Sequence, residues 1–293
     1  MRILLTGASG FIGRALLQEL LETEHELTLI SRKPLGSGIH ELVATPENWN
    51  QAVKGLRFDL CIHMAWIATP GTYLTSPENP LLATASANLA QELFAGGLSH
   101  FLGLGTCIEY APHQNDPCSE SQTPTEPVSP YALAKDQARQ LIAAAAARCG
   151  ASYTWARIFH PYGPGEDPRR IPSTFLTTLL NRQPLNLMTP DSTKDWIEIS
   201  DVVSAIKHLA LECPPQGVIN IGTGIGTRIK YLAENAARIT GADPGLIRCQ
   251  PTGKNDPYHF HVADISKLLA TGWKPSTDLA AGLARLLDHI QTR

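Results

Sequence analysis

The first thirteen residues, MRILLTGASGFIG, limit what the chain can become more than any other stretch. Ile3-Leu4-Leu5 is a short apolar run, and Thr6 follows it. Gly7-Ala8-Ser9-Gly10-Phe11-Ile12-Gly13 then leads into residues 14–21, which have helical spacing and no breaker. The pattern predicts strand, glycine turn and helix. Gly7 takes the tight turn out of the strand. Gly10 removes the Cβ that would hold backbone N–H groups away from a pyrophosphate, and Gly13 lets the helix lie close to the sheet. The helix N-terminus adds orphan N–H groups and the positive end of a dipole. Glycines at this spacing also occur in plain turns, but the flanking strand and helix supply the context that a nucleotide site requires.

The chain continues the alternation. Residues 26–30 read as a second strand, 41–43 as a weak third, 46–55 as a short helix and 58–65 as a strand buried on both faces. A helix is expected over 81–95, a fifth strand from His100 ending at Thr106, and a long polar loop over 111–129 suited to binding. Ser129 and Pro130 are an N-cap and first helical residue, Gly150 is a stop, and residues 152–158 are a sixth strand. This is the order of a doubly wound parallel Rossmann sheet in an α/β protein, with a smaller C-terminal mixed α/β substrate domain. The expected division gives residues 1–160 to the nucleotide domain, completed by about 194–222. Residues 161–193 and 223–293 go to the substrate domain.

At 293 residues, with 43% apolar and 17% charged side chains, the chain has ample material for a core. A net charge of −3 carries no basic footprint for nucleic acid. Six cysteines are scattered without metal-ligand spacing, so thiols without a metal site are expected. No apolar run approaches the ~20 residues of a membrane span. The opening apolar run is too short for a signal peptide, and the expected location is the cytoplasm.

The second strand ends at Ser31-Arg32-Lys33. An acidic residue there would bind a ribose 2′-hydroxyl, whereas Arg32 and Lys33 suit a 2′-phosphate. NADP(H) is therefore expected, with NAD(H) as the alternative. Tyr131 and Lys135 lie four apart at the start of one helix, on one face. A lysine cation beside a phenol, with an oxidised nicotinamide, favours the phenolate; moving its pKa to about 7 takes roughly 4 kcal/mol. Such a phenol exchanges a proton with a hydroxyl or carbonyl while hydride moves to or from the coenzyme. Thr106 sits at the C-terminal end of the fifth strand, where ligands of open sheets gather.

Together these motifs resemble the extended short-chain dehydrogenases/reductases, in the branch that modifies nucleotide sugars (the NAD-dependent epimerase/dehydratase group). The likeness runs through TGASGFIG, residues 59–65, Thr106 to Tyr110, Tyr131-x-x-x-Lys135, ARIFHPYGP, KDWIEISDV, Asn220-Ile-Gly222 and the late Asp264-Ile-Ser266-Lys267 before Gly272-Trp273. It implies that Tyr131 is the acid/base, that Lys135 tunes it and holds the nicotinamide ribose, and that Thr106 orients the substrate. Gly7, Ser9, Gly10, Phe11, Ile12 and Gly13 would hold the pyrophosphate, and Met64 and Ala65 would lie along the coenzyme. Pro161 and Tyr162 would flank its nicotinamide end. Thr106, Cys107, Glu109, His160, Arg170 and Lys194 are the implied substrate residues, with Lys254 near a second diphosphate-binding place. Relatives often pair as homodimers through the Tyr131 helix and the one before it.

Departures from the pattern narrow the reaction. Dehydratases of the group carry Asp-Glu after the threonine, where this chain has Cys107 and Ile108. Reducing epimerases place a cysteine two residues after the hydroxyl residue, and here Cys107 is one residue after, on the other face of a strand. A simple keto reduction remains, and the Thr-Cys-x-Glu-Tyr form resembles reductases that make deoxysugar nucleotides from 4-keto precursors, so the resemblance implies NADPH-dependent reduction of a nucleotide-linked 4-keto-(deoxy)sugar. The alternatives are an NAD-retaining nucleotide-sugar 4-epimerase and a non-enzymatic cofactor-binding regulator.

Overall fold

The computed structural model describes residues 1–250 and 256–292; Lys254 lies outside the described residues. In chain order the elements are β1 (Arg2–Thr6), α1 (Phe11–Leu21), β2 (Glu26–Ser31), β3 (His40–Val43), α2 (Trp49–Ala52), β4 (Leu60–His63), α3 (Asn79–Ala95), β5 (His100–Thr106), α4 (Pro130–Cys149) and β6 (Ser152–Ile158). There follow β7 (Pro161–Tyr162), α5 (Ile171–Leu180), β8 (Leu185–Leu187), β9 (Thr193–Asp195), β10 (Ile197–Glu198), α6 (Ile199–Leu211) and β11 (Gly217–Ile221). The last are β12 (Gly226–Arg228), α7 (Ile229–Thr240), β13 (Ile247–Cys249), β14 (Phe260–His261), α8 (Ser266–Leu269) and α9 (Leu279–Gln291).

A mostly parallel sheet of seven strands runs in the order β11-β6-β5-β4-β1-β2-β3. The pairs β1/β2, β1/β4, β2/β3 and β4/β5 are parallel, with Thr6 opposite Ile30 on one side and His63 on the other. The order reverses at β1, so the loops after β1 and β4 meet at the switch point where open sheets bind ligands. The apolar runs are explained by burial on both faces: Ile3, Leu4 and Leu5 are fully covered.

The chain divides into two compact units. The first comprises Met1–Glu109, Pro127–Arg157 and Val203–Ile219; the second comprises Tyr110–Glu126, Ile158–Val202 and Asn220–Arg293. The loop 110–126, expected within the first domain, therefore groups with the second. The first unit's core stacks Leu82, Leu89 and Leu93 of α3 and Ala134, Ala138 and Ile142 of α4 with Phe101 and Trp155. The second unit packs α5, α7 and α9 through Phe175, Leu176, Leu232, Ala236, Leu283 and Leu286.

Residues 194–198, expected as one edge strand, form β9 and β10 broken at Trp196; β9 pairs with β12 and β14, and β10 with β7. No helix among the described residues is long and apolar enough to cross a membrane. None of the six cysteines is in a disulfide.

Candidate active site

The glycine turn is built as its sequence requires. Gly7 has φ +75° and Gly10 N–H donates to the Gly7 carbonyl at 3.0 Å. A Cβ on Gly7 would stand 2.6 Å from Ala65 N, and one on Gly13 2.1 Å from Gly7 O, so both glycines serve protein packing. Gly10 is different: a Cβ there would meet only the Gly7 carbonyl, at 3.3 Å. Its backbone is extended, it caps α1 without a side-chain hydrogen bond, and no acidic residue stands in the helix's first turn. Packing constrains this position less than Gly7 or Gly13, and with no other protein atom within 4 Å of such a Cβ there is room for close approach of an anion. The loop therefore fits a dinucleotide.

Behind the loop, Thr6 Oγ1 accepts the Met64 and Ala65 N–H groups at 3.2 Å each and bonds His63 Nδ1 at 2.7 Å. His63 Nε2 meets Ser86 Oγ at 2.8 Å. Burial, then the Lys135 charge, brings the His63 pKa down to about 3, so it is a neutral structural imidazole. It fixes the backbone of Met64 and Ala65 beside the glycine turn. Arg32 and Lys33 are exposed just past β2.

Thr106 ends β5, and Tyr131 and Lys135 stand on the first turns of α4. Ser129 Oγ accepts Ala132 N–H at 3.2 Å, and Gly150 closes the helix in the left-handed conformation. The structure brings the three side chains near one another: the Thr106 hydroxyl is close enough to the Tyr131 phenol to favour its ionised form, and the Lys135 ammonium lies 5.9 Å from the tyrosine ring centre.

The phenol's electrostatics depart from expectation. Its pKa is raised, by burial first, then by Tyr73, Glu109 and Cys107, and the Thr106 hydroxyl only partly offsets this. The sequence pattern foresees a lysine pulling it down. Lys135 instead donates to the Leu104 carbonyl at 2.7 Å and sits 4.0 Å over the Trp66 ring. Lys135 is itself buried, which brings its pKa to about 7 against the opposing pull of Glu109. Burial thus holds the tyrosine as a protonated acid.

Glu109 was expected to face a ligand. It is completely buried, accepting from Thr106 N–H at 2.8 Å, Trp155 Nε1 at 3.1 Å and Arg157 Nε at 2.8 Å. Cys107 is buried as well. The sequence reading missed Trp66 and Tyr73, whose rings stand edge-on to Tyr131 at 6.3 and 4.9 Å. It also missed Trp155 as a partner. The signal for Trp155 was Gly103-x-Gly105 in a buried strand, since a Cβ at either glycine would fall within 2.6 Å of the indole.

The remaining candidates belong to the second unit. Tyr162, expected beside the nicotinamide, lies in that unit's core with its hydroxyl on Leu279 O at 3.4 Å; Pro161 precedes it on β7. The His160 ring lies tilted 5.3 Å from that of Trp196, and His160 Nε2 and Trp196 Nε1 are buried without a hydrogen-bond partner among the described residues. Burial drives the His160 pKa well below its ordinary value. Arg170 caps α5 through its backbone. Lys194, expected to meet a diphosphate, is buried and paired with Asp256 at 2.9 Å; it also bonds the Tyr258 carbonyl.

A model of the family described as "NAD dependent epimerase/dehydratase family" matches residues 3–222. The dTDP-4-dehydro-6-deoxyglucose reductase of Escherichia coli is 25% identical over 99% of this chain and 98% of its own length. The UDP-glucose 4-epimerase of Corynebacterium glutamicum is 26% identical over 95% of this chain and 92% of its own. Among solved structures, MoeE5 in complex with UDP-glucose and NAD superposes with a TM-score of 0.84 at 26% identity, covering 100% of this chain and 99% of that one.

Proposed function

The chain belongs to the NAD-dependent epimerase/dehydratase family of enzymes, and from that premise we propose that it is an NADPH-dependent reductase of a 4-keto-(deoxy)sugar carried on a nucleotide. The observation that carries this reading is the division of labour around β5. The Thr106 hydroxyl stands near the Tyr131 phenol and favours its ionised form, whereas the nearby carboxylate, Glu109, gives its oxygens to protein donors. A dehydratase needs a carboxylic acid and base at the sugar; a carbonyl reduction needs only one proton donor and one hydroxyl to orient the oxygen.

The glycine turn, Ser9, Phe11, Ile12, Met64 and Ala65 would hold the coenzyme, and Arg32 and Lys33 would pair with a 2′-phosphate. When bound, the coenzyme supplies hydride. The chain's own part is the proton: the Tyr131 phenol, kept protonated by burial, gives its hydrogen to the substrate oxygen, with the Thr106 hydroxyl holding that oxygen in line. Lys135 stands by as the nearby cation that stabilises the phenolate left behind. In the second unit, His160 Nε2 and Trp196 Nε1 are polar atoms left for a ligand, while Lys194 is already neutralised by Asp256. The same reading includes a homodimer, for which α3 and α4 leave Leu81, Leu133 and Leu141 exposed.

The test is a panel of nucleotide 4-keto-sugars with NADPH or NADH, followed by loss of reduced-coenzyme absorbance. Turnover is expected with NADPH, and Tyr131→Phe should lower kcat by roughly a hundredfold or more. The similarity to 4-epimerases supports a second reading. NAD that stays with the purified protein, together with interconversion of sugars and no net coenzyme loss, would replace the reductase by that one.

A further inference from the structure

An ammonium taken out of water needs a counter-charge, an acceptor or an aromatic face to remain charged. Lys135 is 4% exposed. Its ammonium donates to the Leu104 carbonyl at 2.7 Å and stands 4.0 Å from the centre of the Trp66 ring, against 5.9 Å from the rings of Tyr131 and Trp155. The Glu109 carboxylate is paired with Arg157 at 2.8 Å. A ring face attracts a cation within about 6 Å of its centre, tryptophan most strongly, and desolvation raises the gain.

Trp66 is held in turn by the first residue of α3. Asn79, completely buried, accepts the Trp66 Nε1 N–H at 2.9 Å through Oδ1 and donates Nδ2 to the Tyr73 carbonyl at 2.8 Å. One side-chain amide thus fastens both residues whose rings stand edge-on to Tyr131. We propose that Trp66 is a positioning residue of the site, holding the Lys135 ammonium against its indole face, and that Asn79 locks the indole in that place. The proposal rests on the reading of Tyr131 and Lys135 as the pair that handles the proton.

The groups around Lys135 leave that role to the indole. From β4 comes His63, neutral; from β5 the Leu104 carbonyl; from the turn after β5 Glu109, spent on Arg157 of β6; from α4 the Tyr131 phenol, which Tyr73 and Cys107 also face. Burial brings the Lys135 pKa to about 7, with Glu109 opposing.

The experiment is NMR on the full chain carrying isotope-labelled lysine, with the Lys135 signals identified by their loss in Lys135→Met. In wild type the protons on Lys135 Cε should lie upfield of those of the exposed lysines, because they sit in the ring current of Trp66. Asn79→Ala, which frees the indole to turn, should shrink that displacement. Trp66→Leu should lower the Lys135 titration midpoint by about one pH unit, because the ammonium loses its ring face. Trp66→Phe loses the bond to Asn79 equally but keeps a face, so its midpoint should fall less. Equal midpoints in the Leu and Phe variants overturn the role of the indole, and an undiminished displacement in Asn79→Ala overturns that of the amide. A wild-type Lys135 whose Cε protons fall among those of the exposed lysines sinks both without any variant having to fold. These measurements use neither coenzyme nor sugar. A protein that reduces no keto-sugar would therefore sink the functional reading and leave them standing.

Discussion

At the scale of single residues, two glycines of one loop answer to different masters. Gly7 serves the fold: its φ of +75° and its 2.6 Å clearance to Ala65 N leave no room for a methyl group. Gly7→Ala should therefore destabilise the protein by about 2 kcal/mol or more, read as a lower midpoint in urea. Gly10 has an ordinary φ of −77°, and a Cβ there would press on one atom alone, the Gly7 carbonyl oxygen at 3.3 Å. Gly10→Ala should leave the urea midpoint closer to wild type than Gly7→Ala does but weaken dinucleotide binding about tenfold or more, measured by the fluorescence of the reduced coenzyme. Equal losses of stability in the two variants would mean that Gly10 too serves packing alone. The turn was legible because its requirements are local. Glu109 was not, since its partners Trp155 and Arg157 lie 46 and 48 residues away. Nor was the orientation of Lys135, whose bond to the Leu104 carbonyl spans 31 residues. Helical spacing shows that a tyrosine and a lysine share a face, and leaves open which of the two spends its charge elsewhere.

Among the elements, α4 was read to within a residue from its punctuation, because capping is chemistry between near neighbours. Ser129 Oγ holds the Ala132 N–H, and Tyr131 stands two residues beyond the cap. Ser129→Ala should cost about 1 kcal/mol in urea unfolding. If the cap also sets the tyrosine's place, kcat should fall more than KM rises. The strands with long apolar runs were equally plain. β7, β12 and β14 were not, since two or three residues carry no period to recognise. Trp196 splits what alternation suggested was one strand into β9 and β10, each with its own partners. Such a break comes from the tertiary neighbours, and local propensity does not show it.

At the scale of the whole molecule, buried histidines tie stability to pH. Burial brings His63 to about 3 and His100 to about 4, from an ordinary 6.5. Above about pH 6.5 neither state is protonated and the full stability is present. As pH falls below that value the unfolded chain takes up protons that the native state refuses, so stability declines. Each histidine should contribute a loss of about 2 kcal/mol between pH 7 and 5, measured by urea unfolding. Asp195 and Glu166, whose carboxyls burial pushes up, act in the opposite direction. The informative comparison is therefore His100→Gln, in which the acid loss should shrink by about 2 kcal/mol, His63 and His160 supplying the rest. A variant as acid-sensitive as wild type would refute the assignment.

The path of the chain adds a constraint on manufacture. It passes between the two units after Glu109, Glu126, Arg157, Val202 and Ile219, and the edge strand β11 comes last into the seven-stranded sheet. A nascent chain on the ribosome can assemble the glycine turn, Thr106 and Tyr131 early. It then keeps β6 as an uncovered, aggregation-prone border until residues 217–221 emerge. A gene interrupted anywhere between Arg157 and Gly217 would yield a protein that carries Thr106, Tyr131 and Lys135 yet cannot seal its own sheet.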